Sequence, residues 1–153
     1  MRILWSGLIL GLFLNFLGWL GNVFLLGPLW KAAFLTIPVT AWRASPWRDV
    51  VSLLPDFVYG IAICWAYAGL VPRYGRSVAT ALRATALVFV VGALTTYVGI
   101  ANSGLLPWTL AAATTLLALV TFVPGAWLAH ALMRNHVDPA RAAAAVTAER
   151  TAP

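Results

Sequence analysis

The chain has 153 residues, 62% of them apolar and only 9% charged, with a formal net charge of +6. Soluble domains carry roughly 25% charged residues, and a fold of this size leaves too much surface in water to hide so many apolar side chains. An ordinary soluble domain is therefore excluded, and lipid is the expected solvent. The apolar runs continue for about 20 residues or more, which predicts membrane-crossing helices and not the alternating strands of a membrane barrel. No dense basic run with interleaved aromatics occurs, so nucleic acid is not an expected partner. Cys64 is the single cysteine, which excludes an internal disulfide, a CxxC redox pair and a cysteine-based metal site.

The first predicted helix covers residues 3–27 and ends at Gly27-Pro28. Its start imitates a signal peptide, but the apolar run exceeds the roughly 7–15 residues of a signal core and no small-residue cleavage site comes after it. It is expected to be retained. The next loop, residues 28–51, pairs Trp30, Trp42 and Trp47 with Lys31, Arg43 and Arg48. Tryptophan and long basic side chains favour the headgroup level, so one or two short interfacial helices are expected there. Ser45-Pro46 reads as a cap and first-turn proline that restart the chain toward the second helix.

The second predicted helix covers residues 52–71 and stops at Pro72-Arg73-Tyr74-Gly75-Arg76. The third covers 78–101 and the fourth 105–133, joined through Asn102-Ser103-Gly104 as a tight antiparallel hairpin. The fold expected is an all-α membrane protein: one domain, residues 1–134, forming a left-handed four-transmembrane-helix bundle with a short interfacial helical segment in its first loop. Residues 135–153 are expected to form a loose or frayed cytoplasmic tail. Arg2, Arg73, Arg76, Arg83, Arg134, Arg141 and Arg150 fall on one side of this topology, against Lys31, Arg43 and Arg48 on the other. By the positive-inside rule both termini are cytoplasmic.

Polar side chains inside apolar helices need a partner or a reason. Gly7, Gly11, Asn15, Gly18 and Asn22 step by four, four, three and four, and so share one face of the first helix. That face suits a small-residue packing seam with asparagines bonding to a neighbour, the preferred reading; the alternative is a polar lining for a site. Asp56, beside Pro55, is the only acidic residue near the hydrocarbon region. A carboxylate in a helix's first turn is favoured by the backbone dipole, so a structural role stands beside a proton or cation site. Folding the helices about their turns gives two polar layers. The outer holds Asn22, Asp56, Tyr59 and Thr95 or Thr96; the inner holds Tyr67, Arg83 and His130. For Arg83 snorkelling to the headgroups is preferred over a substrate role. Asn15, Asn22, Asp56, Tyr59, Tyr67 and Arg83 make up the candidate polar site. Segments three and four are rich in Gly, Ala and Thr, suited to close helix approach, and Pro124-Gly125 is expected to kink the fourth.

The stretch Ala66-Tyr67-Ala68-Gly69-Leu70-Val71-Pro72-Arg73-Tyr74-Gly75, with Thr80-Ala81-Leu82-Arg83-Ala84 after it, resembles small bacterial four-helix integral membrane proteins of unassigned function. Gly21-Asn22-Val23-Phe24-Leu25-Leu26-Gly27-Pro28-Leu29-Trp30 is similar in style to the same proteins. The resemblance implies a bacterial plasma membrane and transfers no residue role. Small multidrug transporters share this length and helix count, but they depend on a glutamate in the first helix that is absent here. Haem bundles need paired histidines within the membrane, and this chain offers one at most. No HExxH, GxSxG or GxxxxGK[ST] signature occurs. The expectation is a non-enzymatic accessory or lipid-interacting bundle without cofactor or metal, with the bilayer, a second copy or a membrane protein as partner. The alternative is a small transporter or channel built on the polar site around Asp56.

Overall fold

A computed structural model describes residues 2–36 and 48–133. All of its elements are helical: α1 (Arg2–Phe24), α2 (Gly27–Thr36), α3 (Arg48–Tyr74), α4 (Val78–Val88), a π-helical turn (Phe89–Leu94), α5 (Thr95–Asn102) and α6 (Trp108–Met133). Four stretches are long and apolar enough to cross a membrane: Arg2–Phe24, Ser52–Tyr74, Val78–Asn102 and Trp108–Met133. At 1.5 Å per residue each reaches roughly 35 Å. Within an 18-residue apolar segment of each stretch only 28–33% is buried inside the protein, so most of that apolar surface faces outward. Trp5, Phe16, Val58, Trp65, Leu116 and Trp127 are among the exposed large side chains. A soluble monomer rarely exposes apolar surface on that scale.

The core forms where small residues let helices approach. A Cβ added at Gly7 would lie 2.5 Å from the Ile61 Cα, and one at Gly11 would lie 2.6 Å from the Phe57 Cα. From the other side, a Cβ at Gly60 would run into the Gly7 carbonyl oxygen and the Gly11 backbone. Backbones of α1 and α3 therefore touch directly and antiparallel, the geometry that small residues permit. Leu10, Leu14, Ile63, Cys64, Tyr67, Ala81, Ala84, Phe122, Ala126 and Ala129 fill the interior around that seam. A second cluster joins Ala33 of α2 to Ala101, Leu106, Leu110 and Ala111, with Trp30 packed against it. It fixes α2 over the turn between α5 and α6.

Two turns close as their glycines dictate. Gly75 has φ +75° and Gly104 φ +74°, left-handed values that only glycine adopts without strain. Ser77 then caps α4 by accepting from the Thr80 amide at 3.1 Å. Arg2, Arg73 and Arg76 lie at one end of the bundle, and Lys31 of α2 at the other.

Four boundaries or irregularities differ from the sequence expectation. The first helix ends at Phe24, and α2 starts at Gly27, so a helical segment does occupy the first loop. The second long helix begins at Arg48 instead of residue 52 and runs to Tyr74, through both Pro55 and Pro72. Pro72 sits in the last turn of α3, where its missing amide removes the donor to the Ala68 carbonyl one turn earlier. The third helix is interrupted by the π turn, and the fourth begins at Trp108 instead of residue 105. The Ser45-Pro46 restart, the roles of Trp42, Arg43 and Trp47, His136 and the tail of residues 135–153 lie outside the described residues.

Candidate functional site

In the half of the bundle that carries α2, the four long helices part around a partly open recess of about 490 Å³. From α1 it is lined by Leu14, Asn15, Gly18, Trp19 and Asn22. From α3 come Ser52, Leu53, Pro55, Asp56 and Tyr59; the third helix gives Ala93, Thr96 and Tyr97, and α6 gives residues from Thr114 to Phe122. The face of α1 identified from sequence thus divides in two. Gly7 and Gly11 pack against α3, while Asn15, Gly18 and Asn22, one to three turns further on, line the recess.

Asp56 is half-buried on this wall. The Asn15 side-chain amide donates to its Oδ2 at 3.1 Å, across from α1 to α3. The described lining of the recess includes no Lys, Arg or His. A carboxylate removed from water needs such a donor, because an unpaired buried charge is costly. Asp56 lies two turns into α3 instead of in its first turn, so stabilisation by the helix start, which fades within one turn, does not account for its placement.

Folding about the middle of the first loop sets Asn22 opposite Asp56; the structure puts Asn15 there. The physical reason is the register of the helix ends. With α1 ending at Phe24 and α3 starting at Arg48, the pairing shifts by two turns along α1. Asn22 has other partners: its amide donates to the Gly18 carbonyl at 2.8 Å, and its Oδ1 accepts from the Trp30 indole at 2.8 Å. It still lines the recess, and it ties α2 to α1.

The other wall is aromatic. Tyr59 meets Phe122 edge-on, with ring centroids 5.8 Å apart, and Phe122 meets Phe89 in the same way at 5.7 Å. Gly92, inside the π turn, makes room for Tyr59: a Cβ there would lie 2.6 Å from the ring. The widened turn aims Ala93, Thr96 and Tyr97 at the recess, a use often found for π bulges. Thr96 belongs to the recess, in keeping with the outer layer. Thr95 does not; its hydroxyl turns back on its own helix and donates to the Gly92 carbonyl at 3.1 Å.

Of the inner layer, Tyr67 and His130 come together and Arg83 does not join them. Tyr67 is fully buried, and its hydroxyl lies 2.9 Å from the His130 Nδ1. Arg83 is exposed and places its guanidinium 4.7 Å from the centre of the Tyr74 ring, at the turn between α3 and α4. The six candidate residues are therefore not one site. Asn15, Asn22, Asp56 and Tyr59 share the recess, whereas Tyr67 sits deeper in the bundle and Arg83 outside it.

Trp19 and Tyr97 line the recess without figuring among the residues that sequence reasoning selects. Trp19 stands four residues from Asn15 on the same helical face, a signal that spacing alone could supply; nothing in the sequence marks the π turn that presents Tyr97. Among the described residues no group of three His, Cys, Asp or Glu side chains comes together that could hold a metal ion. What the recess offers is one charge, several hydrogen-bonding groups and aromatic walls. Comparison of the chain with family models, curated proteins and solved structures finds no match.

Proposed function

We propose that this chain is a multi-pass integral membrane protein, non-enzymatic, that receives a small solute in the recess around Asp56 and acts as a solute-binding or transport component. The observation that carries this reading is the Asp56 carboxylate, half-buried and held by Asn15 on the wall of a cavity between all four long helices. A merely structural bond between α1 and α3 would not require a cavity beside it. Four apolar helices with apolar outer faces support the bilayer as solvent. The excess of arginine at the end opposite α2 supports cytoplasmic termini, with the recess in the outer half of the membrane, for which we propose the bacterial plasma membrane.

Accessory and lipid-interacting roles remain the reading for the outer faces, where exposed Trp5, Trp65 and Trp127 offer surface to lipid, to a second copy or to a membrane protein. The recess is what that reading leaves without a role.

The test is access. In a Cys64→Ala background, Thr96→Cys is expected to react with a membrane-impermeant maleimide added outside intact cells, while Trp65→Cys, on an outer face, stays unlabelled. An unreactive Thr96→Cys, with the protein shown to be folded and in the membrane, would remove the recess as an entry site.

A further inference from the structure

Resting on that reading, we infer that the recess selects a monovalent organic cation of the ammonium type, with Asp56 as its counterion and aromatic side chains as its walls. The first ground is charge. Asp56 is the one charged side chain among the described lining residues, which include no Lys, Arg or His. Asn15, which donates to Oδ2 at 3.1 Å, is neutral and does not itself offset the charge of the carboxylate. A half-buried carboxylate in that state attracts a cation and repels an anion.

The second ground is the aromatic lining. Trp19, Tyr59, Tyr97 and Phe122 surround the same space, and Tyr59 is held edge-on against Phe122. Aromatic faces attract cations, ammonium groups above all, and the attraction strengthens where water is excluded. A small inorganic cation would instead need several oxygen ligands converging at bonding distance; here the Thr114 and Thr121 hydroxyls turn back to carbonyls of their own helix and the Asn22 Oδ1 is taken by Trp30. The volume of about 490 Å³ is in the range of small-molecule sites. An ammonium group bearing alkyl or aryl substituents matches charge, walls and size together.

The same chemistry is carried by free organic cations and by the ammonium of a lipid headgroup, and the experiment separates them. Purified protein in phosphatidylglycerol nanodiscs is titrated with benzyltrimethylammonium, benzyl alcohol and benzenesulfonate, following tryptophan fluorescence, to which Trp19 contributes. Saturable binding of the cation alone is expected. Asp56→Asn, which preserves a hydrogen-bonding partner for Asn15, is expected to weaken it about tenfold or more; Tyr97→Leu is expected to weaken it about threefold; Asp56→Glu is expected to retain it. If added phosphatidylethanolamine competes, the occupant is a lipid ammonium; if it does not, a free cation.

Equal binding of benzyl alcohol or benzenesulfonate, or unchanged cation affinity in Asp56→Asn, overturns the inference while leaving the recess as a binding site. Absence of any binding where Thr96→Cys is labelled overturns it as well. Failure of both labelling and binding removes the recess itself.

Discussion

The Asn15 amide meets the Asp56 carboxylate 3.1 Å away across the α1–α3 interface, one turn beyond the point where the backbones of Gly11 and Phe57 touch. The contact and the bond depend on each other. Close approach of the helices at Gly7, Gly11 and Gly60 brings a short asparagine within reach of a short aspartate. Beyond that point the helices part, and the space between them becomes the recess. The seam and the site are therefore two ends of one interface.

Removing the donor should cost more than removing the charge. Asn15→Ala leaves the Asp56 carboxylate half-buried without its partner, a loss of about 1–3 kcal/mol. Asp56→Asn keeps a hydrogen bond to Asn15 and removes a charge from a poorly hydrated place. Thermal denaturation in detergent is expected to rank wild type and Asp56→Asn close together and Asn15→Ala clearly below both. The reverse order would mean that the Asp56 charge is itself the stabilising element.

Gly60→Ala tests the seam. Its new methyl would collide with the Gly7 carbonyl and the Gly11 backbone, and backbone cannot rotate away as a side chain can. A penalty of about 1–3 kcal/mol or more is expected, with α1 pushed off α3. At Gly99 and Gly69 nothing lies within 4 Å of an added Cβ. There the same substitution should be neutral or slightly stabilising, because alanine favours helix over glycine. Melting temperatures of the three variants decide the matter.

The long apolar runs, the turn glycines at 75 and 104, the Gly7–Gly11 face and a helical segment within the first loop are all legible in the sequence, because each follows from composition or spacing alone. Register is not. Whether Asn15 or Asn22 opposes Asp56 depends on where α1 ends and α3 begins, and an error of about three or four residues at each end displaces the pairing by two turns. The π turn is equally hidden. Tyr59, arriving from another helix, packs onto Gly92 within it, a tertiary contact that leaves no periodic signal in residues 89–94. Depth along the helices places Arg83 near Tyr67, but depth says nothing of the side of the helix, and its guanidinium packs over Tyr74 instead.

The Tyr67–His130 hydrogen bond joins α3 to α6 below the aromatic layer of Tyr59, Phe122 and Phe89. Tyr67→Phe removes the hydroxyl and little volume, so it should cost about 0.5–1.5 kcal/mol plus the effect of leaving the His130 nitrogen without its partner. His130→Ala in the same protein adds its own packing loss. A double-mutant cycle isolates the bond: a coupling energy of about 0.5 kcal/mol or more is expected. Strict additivity would show that the two rings merely pack edge to face.

Trp30 gives α2 a directional tie to the long helices by donating its indole N–H to the Asn22 Oδ1 at 2.8 Å. The same ring stacks on Phe34, centroids 5.6 Å apart, and packs beside Leu106 and Leu110. Trp30→Phe keeps an aromatic ring for the packing and deletes the donor. Since Asn22 also donates to the Gly18 carbonyl, α1 should hold its shape while α2 loosens. Hydrogen exchange is the suitable readout, because it resolves local opening from global unfolding. Faster exchange is expected over residues 27–36, with protection of α3 and α6 unchanged. If protection falls across the whole bundle instead, α2 is part of the cooperative core and not a separately docked element beside the recess.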